Sequence, residues 1–207
     1  MSETAQTDKL EAAYAVEDVA EARAFYDTWA EGYDEELARN DYRTPDRAAE
    51  ALAAQAADRG GALADFGCGT GLSGQAFAAA GFTVIDGYDL SPGMLQRAGE
   101  KGVYRRLALC DLSQPLEIED GAYANAAAVG ALNPQFMPPT VIDEILRVLS
   151  PGGCFVFSIN DRHNPGPFEG RVMDLTDCGY AELLVREKGG HLPGIGLEST
   201  LYLLRRR

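Results

Sequence analysis

Three glycines at alternate positions, Gly67, Gly69 and Gly71, follow the short apolar run Ala62–Phe66. The run predicts a β-strand, and the residues after Gly71 predict a helix, so the glycines lie in a strand-to-helix turn. In an α/β sheet such a turn lies at the carboxyl ends of the strands, where ligands bind. Because glycine has no side chain, a ligand can approach the backbone closely there. The segment predicts a ligand-binding loop, and the alternative is a tight turn without a ligand.

The segment Gly69–Gly74 also fits the GxGxxG pattern of dinucleotide-binding loops. Two features argue against a dinucleotide. The glycine series begins earlier, at Gly67, and the acid Asp65 lies at the end of the preceding strand. A carboxylate repels a pyrophosphate and favours a ligand that carries cationic groups. A nicotinamide-dependent oxidoreductase remains the alternative interpretation of this loop.

Two further acids follow the next predicted strands. Asp89 ends the second apolar strand, where a carboxylate can accept hydrogen bonds from both ribose hydroxyls of an adenosine. A carboxylate favoured by the dipole of the next helix is the alternative, but Ser91 already caps that helix. Asp111 follows the third strand and could accept a hydrogen bond from an adenine amino group. The alternative for Asp111 is a solvated loop acid.

These residues resemble the cofactor motifs of the class I S-adenosylmethionine-dependent methyltransferases. The turn Arg147–Gly153 is similar to the turn that precedes the fifth strand in that class. Within the class, segments such as Tyr26–Ala30 and Ser91–Leu95 are most similar to the methyltransferase-like proteins named after the Williams–Beuren syndrome region. The resemblance covers roughly residues 20–207. One departure is Ala124, where an Asp is common at the start of the fourth strand.

The resemblance implies S-adenosylmethionine as the cofactor and assigns a role to each matching residue. Asp89 would hold the ribose hydroxyls, Asp111 would lie at the adenine edge, and Tyr33 would close over the cofactor. Arg43 is a weaker candidate for the methionine carboxylate. The cofactor-binding residues implied in this way are Tyr33, Asp65, Gly67, Cys68, Gly69, Gly71, Asp89, Leu90, Met94, Asp111, Leu112 and Val129.

Methyl transfer from a sulfonium depends mainly on alignment of the two reactants. A general base is needed only if the acceptor must lose a proton. The candidate catalytic residues are Asn133, after the fourth strand, and His191, predicted in a loop between the last two strands. His163 is a third candidate. The alternatives are that Asn133 only shapes a turn before Pro134 and that both histidines are exposed to solvent.

The elements that must position these residues alternate between strand and helix, which predicts an α/β fold with a doubly wound, mostly parallel, seven-stranded sheet. Two final strand-like segments without a helix between them predict an antiparallel end of the sheet. Residues 1–15 show no strong pattern and are predicted to lack regular structure. We predict an N-terminal helical lid, residues 1–44, and a cofactor-binding domain, residues 45–207.

The chain has 32 acidic and 18 basic residues, a formal net charge of −14. Because nucleic-acid binding draws on basic side chains, the charge predicts a small-molecule acceptor and no nucleic-acid partner. The absence of an apolar run of ~18 residues or a signal peptide predicts no membrane partner. The four scattered cysteines predict a reducing, cytoplasmic location and no metal site, and the chain is expected to be a monomer or a homodimer. A non-catalytic, cofactor-binding regulatory protein is the second alternative function.

Overall fold

The computed structural model describes residues 7–207. Within these residues, seven strands form one mixed sheet. In chain order the strands are β1 Leu63–Phe66, β2 Ile85–Asp89, β3 Arg106–Leu109, β4 Tyr123–Ala128, β5 Leu149–Asn160, β6 Ala181–Leu192 and β7 Leu197–Arg206. The helices described there are α1 Thr7–Ala13, α2 Val19–Trp29, α3 Tyr33–Arg39, α4 Thr44–Gln55, α5 Leu72–Ala79, α6 Pro92–Glu100, α7 Val141–Arg147 and α8 Gly166–Asp177.

The strand order across the sheet is β3-β2-β1-β4-β5-β7-β6. Strands β1 to β5 pair in parallel, and β7 runs antiparallel to both β5 and β6. The order reverses between β1 and β4, and ligands bind at such a point in open α/β sheets. The predicted doubly wound, mostly parallel sheet with an antiparallel last strand is confirmed.

Helices cover both faces of the sheet, because alternate residues of each central strand point to opposite faces. On β5, Phe155 and Phe157 belong to one buried cluster, which includes apolar side chains of α7 and α8. Their neighbour Val156 belongs to a second cluster, which includes residues of α4 and α5. The carboxyl ends of β1, β2 and β4 are therefore fixed between two packed layers.

The N-terminal helices pack over the end of the β6–β7 hairpin. Their buried side chains Leu10, Trp29 and Leu37 form a third cluster with Leu192 and Leu197. The prediction that residues 1–15 lack regular structure is wrong for Thr7–Ala13, which is helix α1. Leu10 makes this short helix stable in the fold, because its side chain is buried in the third cluster. Residues 1–6 lie outside the described part of the chain.

One local prediction needs correction, and two further local features could not be read from the sequence alone. His191 lies in strand β6 and not in a loop, because pairing with β7 continues to Leu192 through an irregular register. Helix α8 was not predicted, since only Phe168, Val172 and Leu175 mark its buried side. Strand β4 keeps its place despite Ala124, where the pairing with β5 shifts register.

Candidate active site

A cleft at the carboxyl ends of β1, β2, β3 and β4 collects most of the predicted site residues. Gly67, Gly69 and Gly71 have φ values of 65°, 54° and 93°, a conformation that glycine adopts readily. A Cβ added at Gly67 would lie 2.2 Å from the Cβ of Ala131, whereas a Cβ at Gly69 would meet no atom within 4 Å. Gly69 therefore leaves open space at the wall of the cleft.

Asp89 joins the glycine loop to the start of helix α6. Its Oδ2 accepts a hydrogen bond of 2.8 Å from the Gly69 N–H, and its Oδ1 accepts one of 2.9 Å from the Ser91 N–H. Ser91 caps α6, as predicted, through its own hydroxyl, which accepts from the Met94 N–H. Burial raises the pKa of Asp89, against the lowering effect of these backbone donors. Each carboxylate oxygen has lone-pair capacity left for a further donor.

Asp65 lies behind the glycine loop and does not line the cleft. Its Oδ2 accepts hydrogen bonds from the hydroxyls of Ser73 and Tyr104, at 2.7 Å and 2.8 Å. Its Oδ1 is buried and has no hydrogen-bond partner among the described residues. Burial raises the pKa of this carboxyl from 3.8 to about 7. Cys68 and Gly71 likewise lie outside the cleft wall.

The other predicted cofactor residues are brought together in the wall of the cleft. Asp111 is half-buried, and its Oδ1 accepts two hydrogen bonds from Ser113, one from the N–H at 2.8 Å and one from the hydroxyl at 2.7 Å. Cys110 also lines the cleft and was not predicted. The predicted cofactor residues found in the wall are Tyr33, Gly67, Gly69, Asp89, Leu90, Met94, Asp111, Leu112 and Val129.

The opposite wall is aromatic and comes mainly from the N-terminal segment. Tyr26 stacks on Trp29 with ring centroids 6.0 Å apart, and Tyr33 meets Trp29 edge-on at 4.7 Å. Tyr14 and Tyr42 complete this wall. Burial raises the pKa of Tyr26 to about 12 and also raises the pKa of Tyr33 and Tyr42, so their hydroxyls stay neutral. Sequence patterns missed Tyr14 and Tyr42; the only signal was the density of tyrosines in this segment.

Two acids bond the N-terminal helices to the glycine loop and to the start of α6. Asp27 of α2 accepts hydrogen bonds from the Ser91 hydroxyl and, at 2.9 Å, from the Gly93 N–H. Asp34 of α3 accepts from the hydroxyl of Thr70, in the glycine loop, and pairs with Lys101. The aromatic wall is therefore tied directly to the loops that form the other side of the cleft.

The candidate catalytic residues all line the cleft but differ in their contacts. The Oδ1 of Asn133 accepts a hydrogen bond of 2.9 Å from the Gln135 N–H, so this side chain also shapes its turn. His163 is half-buried and lies against the ring of Tyr14. His191 is buried, and its Nδ1 lies 2.8 Å from the Thr44 hydroxyl. Arg43 is exposed, pairs with Asp41 and does not line the cleft.

The cleft encloses about 1250 Å³ of space, its open mouth included. Within residues 7–207, no three His, Cys, Asp or Glu side chains are grouped so as to hold a metal ion. Over the same residues, none of the helices has both the length and the apolar character needed to cross a membrane.

Comparison with known proteins gives matches over the same region. Residues 64–157 match a family model described as "Methyltransferase domain". The chain is 39% identical to human Methyltransferase-like protein 27 over 148 residues, which cover 70% of this chain and 60% of that protein. It is 29% identical over 147 residues to a protein of Dictyostelium discoideum named "Probable 18S rRNA (guanine-N(7))-methyltransferase", covering 66% and 50% of the two chains.

A solved structure, an S-adenosylmethionine-dependent methyltransferase from Mesorhizobium loti, shares the fold with a TM-score of 0.62 at 20% identity. The match covers 77% of this chain and 96% of that one. The chain thus spans about half to three fifths of the length of the two curated relatives, whereas it matches nearly all of this solved structure.

Proposed function

Because the chain belongs to the class I S-adenosylmethionine-dependent methyltransferases, we propose that it transfers the methyl group of this cofactor to an acceptor bound in the same cleft. One observation carries the proposal. The glycine loop presents open space at Gly69, and the carboxylates of Asp89 and Asp111 lie in the wall beside it. The aromatic wall lines the same cleft.

The residues present fit an adenosine that carries cationic groups. Asp89 would accept from the ribose hydroxyls, and Asp111 would accept from the adenine amino group. Leu90, Met94 and Leu112 would supply apolar contacts for the base. Two carboxylates beside the loop oppose a pyrophosphate, which argues against a nicotinamide dinucleotide. Asp65, Cys68 and Gly71 would then support the loop from behind.

The bound cofactor supplies a methyl group on a sulfonium, which is a good leaving group. The chain's own residues would hold the two reactants in line and exclude water, and alignment of this kind is worth ~7–11 kcal/mol in favourable cases. The aromatic wall would cover the reacting groups. As part of this proposal, residues 1–44 act as a lid, which Asp27 and Asp34 hold against the cofactor loops.

The prediction that the chain has no nucleic-acid partner is wrong. A relative at 29% identity is named as an 18S rRNA guanine-N7 methyltransferase, which overturns an argument made from net charge. The physical reason is that net charge acts at long range, whereas a base is recognised by local contacts inside a pocket. We propose that the acceptor presents a small, neutral, planar group to the aromatic wall, either as a free molecule or as a base within RNA.

Titration calorimetry with S-adenosylhomocysteine tests the cofactor site. We expect binding by the wild type, and Asp89→Ala should weaken it about ten- to a hundredfold, because hydrogen bonds to a charged acceptor contribute ~1.5–3 kcal/mol. Asp89→Asn should lose less, since it keeps one acceptor oxygen. Asp174→Ala, an exposed acid on α8, is the matched control. Tighter binding of NAD than of S-adenosylhomocysteine would favour an oxidoreductase.

Transfer of a labelled methyl group tests the activity and separates the two sources of acceptor. The protein and methyl-labelled S-adenosylmethionine are incubated with ribosomal RNA in one arm and with the small-molecule fraction of a cell extract in the other. Label in RNA supports a nucleic-acid acceptor, and label in the small-molecule fraction supports a free one. Tight cofactor binding without label in either arm would contradict the proposed activity and indicate a regulatory protein.

A further inference from the structure

A buried chain of polar side chains joins helix α4 to the β6–β7 hairpin and ends at the cleft. The Arg47 guanidinium donates from Nη1 to the Ser199 hydroxyl at 3.2 Å. The Ser199 Oγ lies 3.1 Å from the Thr44 Oγ1, which lies 2.8 Å from the Nδ1 of His191. Thr44 and Ser199 are fully buried, so no solvent competes for these bonds.

The direction of the hydrogens in this chain follows from the acceptors that each hydroxyl can reach. Arg47 can only donate, so the Ser199 oxygen accepts from it. Among the described residues, the Thr44 oxygen is the one acceptor within reach of the Ser199 hydrogen, and the Thr44 hydrogen is left to bond the Nδ1 of His191. His191 must therefore carry its ring proton on Nε2.

The other tautomer conflicts with this chain. If Nδ1 carried the proton, it would donate to Thr44, and Thr44 would donate to Ser199. The Ser199 oxygen would then receive two donors, and its own buried hydrogen would have no acceptor among the described residues. A buried donor without a partner is costly. The doubly protonated ring meets the same conflict, because it also carries a proton on Nδ1.

The surroundings of the ring also disfavour a positive charge. Arg47 reaches it from α4, His163 and Asp161 face it from the segment after β5, and Tyr42 meets it edge-on. The pKa of His191 is lowered from 6.5 to about 4: burial is the largest cause, Arg47 and His163 also lower the pKa, and Asp161 opposes them. The ring is neutral throughout the range in which a free histidine titrates.

We propose that His191 holds the methyl acceptor as a neutral hydrogen-bond donor through its Nε2–H, with Arg47, Ser199 and Thr44 as positioning residues. This role rests on the proposed function and differs from the general base predicted from the sequence. His191 lines the cleft, and its Nε2 makes no hydrogen bond within residues 7–207. The acceptor must then carry an oxygen or nitrogen lone pair that can accept this hydrogen bond.

Nitrogen-15 NMR of the imidazole rings tests the tautomer without any substrate. The chain has two histidines, so a His163→Gln variant assigns both signals. We expect Nδ1 of His191 as the unprotonated nitrogen and Nε2 as the protonated one, without change between about pH 5.5 and pH 8. Thr44→Val should mix the tautomers, while Thr44→Ser should keep them. A proton on Nδ1 in the wild type, or a titration inside that range, would overturn the proposal.

The contact with the acceptor is tested with His191→Leu and His191→Gln in the labelled-transfer assay. The assay uses whichever fraction accepts label. When that fraction is limiting, the leucine variant should be at least tenfold slower than the wild type. When it is saturating, the difference in rate should be smaller. The glutamine variant, which retains an N–H donor, should recover part of the lost rate. A wild-type rate that rises with pH through the histidine range would instead identify a base.

Failure of this inference can be told apart from failure of the proposed function. S-adenosylhomocysteine binding should be equal in the wild type and in Thr44→Val, because this chain lies outside the cofactor loops. If the wild type fails to bind S-adenosylhomocysteine or to transfer label, the proposed function fails, and the donor role fails with it, whatever tautomer the NMR shows. If transfer succeeds but the tautomer is the other one, only the donor role fails.

Discussion

The proposed cofactor side of the cleft and its aromatic side are held together by different kinds of contact. On the cofactor side, backbone N–H groups of the glycine loop and of α6 bond to the single carboxylate of Asp89. On the aromatic side, side chains from the N-terminal helices meet a hairpin near the end of the chain, and Thr44 and His191 bond across 147 positions. The first side is defined by local backbone geometry, and the second by packing between distant segments.

The two sides also differ in charge. The cofactor side contains the buried carboxylate of Asp65 and the half-buried carboxylate of Asp89, both with raised pKa values. The aromatic side contains tyrosines that burial keeps neutral, together with the neutral ring of His191. A ligand with positive charge is therefore favoured on the first side, and a neutral acceptor on the second.

The largest expected effect on this electrostatic contrast comes from substituting Asp65. Its pKa of about 7 in the folded protein lies above the 3.8 of an exposed carboxyl. Between these two pH values the folded state therefore binds the proton more tightly than the unfolded state does. The free energy of unfolding should therefore decrease as the pH rises from 4 to 7, by at most about 1.4 kcal/mol per pH unit. Asp65→Asn should remove most of this slope in urea unfolding followed at several pH values. An unchanged slope would show that Asp65 is charged and stabilised in the fold.

The residues of the proposed cofactor side could be chosen from the sequence because their types are informative one residue at a time. A left-handed turn beside a ligand needs glycine, and a strand end that meets a ribose needs an acid. The direction of Asp65, away from the cleft, could not be predicted, since it depends on the hydroxyls of Ser73 and Tyr104. The aromatic side was harder still: Tyr42 and His191 meet only after the hairpin folds back onto the N-terminal segment.

The second-largest expected effect comes from substituting Gly69. Because the space beside this glycine is open, the substitution tests whether the ligand approaches the backbone closely on the cofactor side. In Gly69→Ala the added Cβ has no protein atom within 4 Å. The cost to folding is therefore the strain of a left-handed backbone conformation at alanine, ~1–2 kcal/mol. If the cofactor enters that space, affinity for S-adenosylhomocysteine should fall at least tenfold, ~1.4 kcal/mol.

Gly81→Ala is the matched control, because Gly81 has φ +95° and equally open surroundings but does not line the cleft. Its stability should fall by a similar amount, while calorimetry should give the affinity of the wild type. Equal affinities for Gly69→Ala and the wild type would show that the ligand does not approach the loop at this glycine.

The smallest effect concerns the contact between the two sides, at Asp34 of the proposed lid. Asp34→Ala removes the acceptor of the Thr70 hydroxyl and the partner of Lys101, a loss of about 0.5–1.5 kcal/mol. The closed lid should become less populated, so the dissociation constant for S-adenosylhomocysteine should rise about two- to tenfold. Amide exchange in α2 and α3 should slow when the ligand binds to the wild type and slow less in the variant. Glu35→Ala, which removes an exposed carboxylate from the same helix, should change neither quantity. Exchange that is equal with and without ligand in the wild type would instead identify residues 1–44 as a fixed part of the cleft wall.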